Sequence, residues 1–215
     1  MISVEWDNLG KRFGLKWVFR NLDGNIPGGS HIVVKGSNGS GKSTFGKLLV
    51  GATDATDGEM RWLSSGDSIE IDDIPQRIAW SAPFIEVPED MTINEVLNFH
   101  CTFRNSWSDG YLSKLLASSS LESHSDSQIS TLSSGQKQRL RLILAMGTEA
   151  GLVVLDEPCS NLDTIGIKWY RDELKKLVSK TTVVVCSNNK LEEHLDGAAL
   201  ILLGDWLLLP SPGIS

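Results

Sequence analysis

Two kinds of hydrophobic pattern alternate along the chain. Short apolar runs rich in β-branched residues recur at His31-Ile32-Val33-Val34, Leu152-Val153-Val154-Leu155, Thr182-Val183-Val184-Val185 and Leu200-Ile201-Leu202-Leu203. None alternates apolar with polar positions, which is how a parallel strand covered on both faces reads. Between the runs lie stretches with helical spacing, at Lys42 to Val50, Gln136 to Met146 and Thr164 to Val178. The alternation predicts an open parallel α/β sheet that binds ligands at the carboxyl ends of its strands. The first 30 residues and Gly58 to Ile74 read instead as shorter strands and turns, an antiparallel β flap.

From Thr92 to about Met146 the pattern is helical, with Ile93, Val96 and Leu97, then Leu112, Leu115 and Leu116, at helical intervals. Nine serines crowd residues 118 to 134, a polar connector without enough apolar surface to pack by itself. The expectation is one domain in two parts: an α/β core with its flap (1–89 and 147–215) and an inserted helical subdomain (90–146).

Composition narrows the class. With 215 residues, 40% hydrophobic and 22% charged, the chain suits one well-buried globular domain. A net charge of −7 argues against a broad nucleic-acid-binding face. Cys101, Cys159 and Cys186 lie far apart without metal-ligand spacing, and read as reduced thiols in a reducing compartment. The segment Met1 to Asp7 lacks the basic start and apolar stretch of a signal peptide. No apolar run approaches the ~18 residues needed to span a bilayer. The nearest, Trp206 to Leu209, is cut off by Pro210. A soluble, cytoplasmic chain is expected, one that serves a membrane only through a partner.

The strand His31 to Val34 runs into Gly36-Ser37-Asn38-Gly39-Ser40-Gly41-Lys42-Ser43-Thr44, which fits GxxxxGK[ST]. Glycines let a backbone wrap phosphate oxygens so that successive N–H groups point inward at a helix start. Lys42 supplies a point charge for the β and γ phosphates, and the Ser43 hydroxyl can ligate Mg²⁺. The strand Leu152 to Leu155 ends in Asp156-Glu157-Pro158. There Asp156 can hold Mg²⁺ directly or through water, and Glu157 can polarise a water for attack on the γ-phosphate. Leu132-Ser133-Ser134-Gly135-Gln136 puts a serine cap on the helix that follows, whose free N–H groups and positive dipole end suit an anion.

That last segment resembles the LSGGQ signature of ABC ATPases, with one Gly-to-Ser change at Ser134. It lies 90 residues after Lys42 and 24 before Asp156, and the resemblance then covers nearly the whole chain. It implies a P-loop NTPase fold and an ATP- and Mg²⁺-dependent ATPase that drives a transmembrane permease from the cytoplasmic face of the inner membrane. It also implies two ATPase copies, identical or homologous, packed head to tail. Each ATP would sit between Ser37 to Thr44 of one copy and Ser133, Gly135 and Gln136 of the other. Ser160-Asn161-Leu162-Asp163 looks like the family's D-loop, with Asp163 at the interface. Phe13 matches the aromatic that stacks on adenine, with Trp17 as a rival.

Two family residues are missing. Ala82 and Pro83 stand where the Q-loop glutamine belongs, and Asn188 stands at the place of the switch histidine. Asn188 can donate a hydrogen bond to the γ-phosphate but carries no charge. The expectation is preserved nucleotide binding and closure with slow hydrolysis, Glu157 being the principal catalytic group. His194, in an apparent helix Leu191 to Leu195, reads as a surface residue. The Ser-Ala-Pro loop and compact length are similar to small ATPases near the haem-export, cytochrome c maturation group. The run Phe84 to Pro88 either borders a groove for the membrane partner or is core packing. The competing readings are a non-transport ABC ATPase acting on DNA or the ribosome, a kinase or GTPase, and a pseudo-ATPase that uses ATP as a switch. Coiled-coil, zinc-module and two-domain relatives do not fit the spacing, and a kinase or GTPase has no reason to carry LSSGQ.

Overall fold

The parallel sheet expected from the apolar runs is present in the computed structural model, which describes residues 1–188 and 191–204. Its strands are β3 (His31–Lys35), β6 (Ile78–Ser81), β7 (Leu152–Asp156), β8 (Thr182–Ser187) and β9 (Ala199–Leu202). They lie in the order β6-β7-β8-β3-β9, every neighbour pair parallel. Central β7 and β8 are buried at every residue, which is why their sequences show no alternation. The Trp206 to Leu209 run and Asn189 lie outside the described residues.

A second sheet is antiparallel, in the order β2-β1-β4-β5, from β1 (Ile2–Phe13), β2 (Lys16–Ile26), β4 (Asp57–Ser64) and β5 (Asp67–Ile69). The flap strands stop at Ile69; where the sequence pattern predicts strand and turn to Ile74, a 3-10 turn (Ile71–Asp73) and the short helix α2 (Ile74–Arg77) form instead. Helix α1 (Lys42–Leu49) lies between the two sheets. Its Phe45, fully buried, meets Trp6 of β1 and Phe19 of β2 edge-on, with ring centroids 5.2 and 6.2 Å apart. Burying such a ring is worth roughly 1.5–3 kcal/mol, so the flap anchors the helix that starts at Lys42.

On the other face of the parallel sheet, α5 (Ser134–Gly147) packs on β6 and β7, and α3 (Ile93–Phe103), α4 (Tyr111–Ser118) and α6 (Thr164–Leu177) pack around α5 in the same apolar cluster. Thr92 and Glu95 form a reciprocal capping box that starts α3. The serine-rich connector is less bare than its composition suggests. It folds into two 3-10 turns (Glu122–His124 and Ile129–Thr131), and Leu121 and Ile129 are fully buried beneath them.

Strand register brings the chemistry together. Asp156 of β7 is level with Cys186 of β8, which is level with Val34 of β3. The phosphate loop, Glu157 and Asn188 therefore leave three adjacent strands at one edge of the sheet. On the other side of β7, Ser81 pairs with Leu155, so Ala82 follows beside Asp156.

Candidate functional site

A cleft of about 370 Å³ opens above those strand ends, lined by Phe13, Asn38, Gly39, Gly41 to Thr44, Glu157 and Asn188. The loop can take its shape only with glycines at its bends. Gly39 (φ 82°) and Gly41 (φ 100°) are left-handed, and a Cβ at Gly41 would fall 2.6 Å from Val18. Helix α1 begins without a side-chain cap, leaving its first N–H groups open to an anion. The Lys42 ammonium curls beneath the loop and donates to the carbonyls of Gly36 and Ser37, both at 2.9 Å.

Asp156, 1% exposed at the end of β7, lies behind Ser43 and does not line the cleft itself. Burial pushes its carboxyl above the usual range, the Ser43 hydroxyl bonded to it pulls the other way, and the Glu157 charge raises it further. Its Oδ1 has no hydrogen-bond partner. A buried carboxylate with a free oxygen beside a hydroxyl fits Mg²⁺, which takes one or two protein oxygens and completes its shell with phosphates and water. Among the described residues no cluster of three or more His, Cys, Asp or Glu could hold a metal, so phosphate oxygens would have to contribute.

Glu157 is left-handed (φ 45°) and ties its N–H to the Cys186 carbonyl at 2.9 Å. Both carboxylate oxygens are engaged: Asn188 Nδ2 donates to Oε1 in a short hydrogen bond, and Ser160 Oγ donates to Oε2 at 3.2 Å.

A second cavity, about 440 Å³, surrounds the start of α5 and includes Ser133, Gly135, Gln136, Arg139, Asn161 and Asp163. Here the helix is capped by its own residues. Ser133 Oγ accepts from Gln136 N (3.2 Å), and Gln136 Oε1 accepts from Ser133 N (2.8 Å). A Cβ at Gly135 would lie 2.6 Å from the Asn161 carbonyl oxygen, so only glycine lets the two loops touch. Asp163 caps α6, accepting from Gly166 N at 2.7 Å, and pairs with Arg139. The Gly166 N–H, followed by Arg139, holds its carboxyl below the usual range despite full exposure. The two cavities share no lining residue.

A profile of the ABC transporter family matches residues 19–160. This chain belongs to the ABC transporter family. It is 30% identical, over 95% of its length and 79% of the relative's, to an energy-coupling factor transporter ATP-binding protein of Fusobacterium nucleatum. It is also 30% identical, over 88% of its length and 62% of the relative's, to a bacitracin transport ATP-binding protein of Enterococcus faecalis. An ATP-binding subunit of an ABC transporter superposes with TM-score 0.79 at 19% identity, over 94% of this chain and 86% of that one. A dimeric ATP-binding cassette holding ADP and phosphate after hydrolysis gives 0.79 at 23% identity, over 94% and 95%. Both structures establish the shared fold.

Within this ABC subunit, most residues expected at the nucleotide line one of the two cavities. Ser37 and Ser40 do not line the cleft. Ser37 gives its carbonyl to Lys42, and the Ser40 hydroxyl is buried so close to Gly36 that a Cβ there would fall 2.3 Å from it. Phe13 is 57% exposed at the cleft, whereas Trp17 is held between the Arg12 and Arg20 guanidiniums, 5.5 and 4.7 Å from its ring centroid, and does not line it. Ala82 is fully buried, and Asn188 lies on Glu157.

His194 departs from expectation. It is buried, at 9% exposure, because only a 3-10 turn (Leu191–Glu193) forms there and packs down on α6. Tyr170 donates to the Glu193 carbonyl and Arg171 to that of His194, at 2.7 and 2.9 Å. Ser160, which touches Glu157, lies in the D-loop-like run, but nothing in that motif signals this contact; His124, which touches Gln136, carries no motif signal and stands out only as an imidazole in a run of serines.

Proposed function

We propose that this chain is the ATP-hydrolysing motor subunit of an ABC transporter, and that two copies, identical or homologous, close head to tail around two ATP molecules. The observation that carries the reading is the pair of separate anion-suited cavities, one at Lys42 and one at Ser133, which share no lining residue. Closure supplies the missing wall, and ligand contacts present only in the closed state drive it.

Phe13 stacks on adenine, and Lys42 leaves the Gly36 and Ser37 carbonyls for the β and γ phosphates. The Ser133 hydroxyl and Gly135 N–H of the second copy cap the γ-phosphate. Asp156 and Ser43 hold the Mg²⁺ that accompanies ATP and neutralises phosphate charge. Glu157 accepts the proton of the attacking water, while Asn188, without a charge, orients the carboxylate.

The α/β core and flap (1–89 and 147–215) carry the ATP site, and residues 90–146 act as a helical subdomain. A groove of about 370 Å³, lined by Trp80, Ile85, His100 and Arg104 among others, runs between them beside exposed Phe84, Phe99 and Phe103. A cytoplasmic helix of the transmembrane permease docks there, keeping the subunit at the inner face of the membrane.

Because both Glu157 oxygens are already bonded, a second reading is an ATP-dependent switch with impaired hydrolysis. Turnover decides between them. The motor reading expects phosphate release from Mg-ATP, below the ~10 per second of a typical enzyme and about 100-fold lower still in Glu157→Gln. Pairing on Mg-ATP with no release at all would leave the switch. Rapid release that ignores Glu157 would remove both.

A further inference from the structure

His124 ends the 3-10 turn Glu122–His124, outside the signature cavity, and its ring is bonded at both nitrogens. Nε2 lies 3.1 Å from Gln136 Nε2, and Nδ1 lies 3.1 Å from Ser123 Oγ. The orientation of the Gln136 amide is fixed independently, because its oxygen already accepts the Ser133 backbone N–H. The amide end that meets His124 is therefore NH₂, a donor only. His124 Nε2 is thus the acceptor, which places the ring N–H on Nδ1, facing Ser123 Oγ.

We propose that His124 is a positioning residue of the ATP clamp. As an acceptor it holds the Gln136 amide, which holds the Ser133 backbone and so the helix start that meets the γ-phosphate of the opposing copy. The chain of contacts runs His124, Gln136, Ser133, and His124 itself touches no nucleotide. This inference rests on the head-to-tail reading above.

The charged groups on the surrounding elements are otherwise occupied or exposed. Asp126 accepts from Asn94 on α3, Glu95 is taken up by Thr92, Lys137 of α5 pairs with Glu89, and Arg139 pairs with Asp163. Glu122 and Lys114 are exposed.

The test measures Mg-ATP-driven pairing of the full chain by sedimentation, in a Glu157→Gln background that keeps ATP intact. His124→Ala is expected to raise the ATP concentration for half-maximal pairing about fivefold, the effect of losing one helix cap. His124→Gln, which offers an oxygen acceptor, restores it; His124→Lys, which offers only donors, does not. Rescue by Lys and not by Gln would mean a direct cation–phosphate role and overturn the proposal, as would an unaffected His124→Ala. If the chain with native His124 never pairs, the head-to-tail reading itself falls, and this inference with it.

Discussion

At Lys42 a helix starts with no side-chain cap, so its first N–H groups wait for a ligand; at Ser133 a helix starts inside a reciprocal cap made by its own side chains. An uncapped start set above a buried lysine takes a phosphate directly. A capped start must share or give up an internal hydrogen bond to do the same, so its intrinsic pull on an anion is weaker. The contrast gives the two half-sites an order. On the head-to-tail reading proposed above, ATP would bind first at the loop of one copy, and the serine-capped helix would engage only a phosphate presented to it at high local concentration.

The most damaging way to probe that order is to remove one anchor at a time. Lys42→Ala is expected to weaken ATP binding by about 100-fold, since a buried charged donor to phosphate is lost. Ser133→Ala should leave binding to the single chain within about twofold and reduce pairing instead. Equilibrium binding of a fluorescent ATP analogue, set beside sedimentation, separates the two. Equal losses of binding in both variants would erase the distinction.

The glycines sharpen the same contrast at smaller scale. Gly39 bends the phosphate loop with φ 82° and has nothing within 4 Å of its missing Cβ. Alanine there meets only the left-handed backbone penalty, about 1–2 kcal/mol. Gly135 is hemmed in by the Asn161 carbonyl, so alanine there forces the signature loop off the Ser160–Asp163 loop, at about 1–3 kcal/mol in overpacking. Chemical denaturation is expected to show comparable losses. Only Gly135→Ala should also displace Asn161, lowering pairing in excess of its effect on stability.

How legible the two regions were in sequence follows from how each is made. The cleft is local chemistry on buried strands: unalternated runs gave away β3, β7 and β8, and glycine spacing gave away the loop between strand and α1. The signature region was legible at Ser133 and Gly135, whose cap and close approach lie within or beside a motif. It was opaque at His124, where a contact across twelve residues depends on how a serine-rich connector folds over Leu121 and Ile129. His194 was misjudged for the same reason, since its burial comes from a turn seated on α6 by Tyr170 and Arg171. Ser37 and Ser40 lie inside a motif, but a motif does not say which of its residues line the cleft.

Each half-site also holds one aspartate, and the two are perturbed in opposite directions. Burial raises the Asp156 carboxyl, so its contribution to folding is full below the ordinary carboxylate range and declines as pH rises through its folded value. Hydrogen bonding from Gly166 lowers that of Asp163, so its contribution is present above the ordinary range and is lost as pH falls through its folded value. At neutral pH, then, Asp156 opposes folding of the nucleotide-free chain and Asp163 supports it. Asp156→Asn is expected to raise the melting temperature without nucleotide, and Asp163→Ala to lower it by about 2–4 °C through the lost cap. Adding Mg-ATP should reverse the first result and leave the second if, as proposed, Asp156 takes the cation, whereas Asp163 already has its partners. Melting curves with and without Mg-ATP, followed from pH 7.5 down to pH 3 so that both carboxylate windows are crossed, test both signs. Shifts of the same sign in the two variants would mean that the cleft stores no strained charge, and the contrast between an open and a self-satisfied half-site would lose its electrostatic basis.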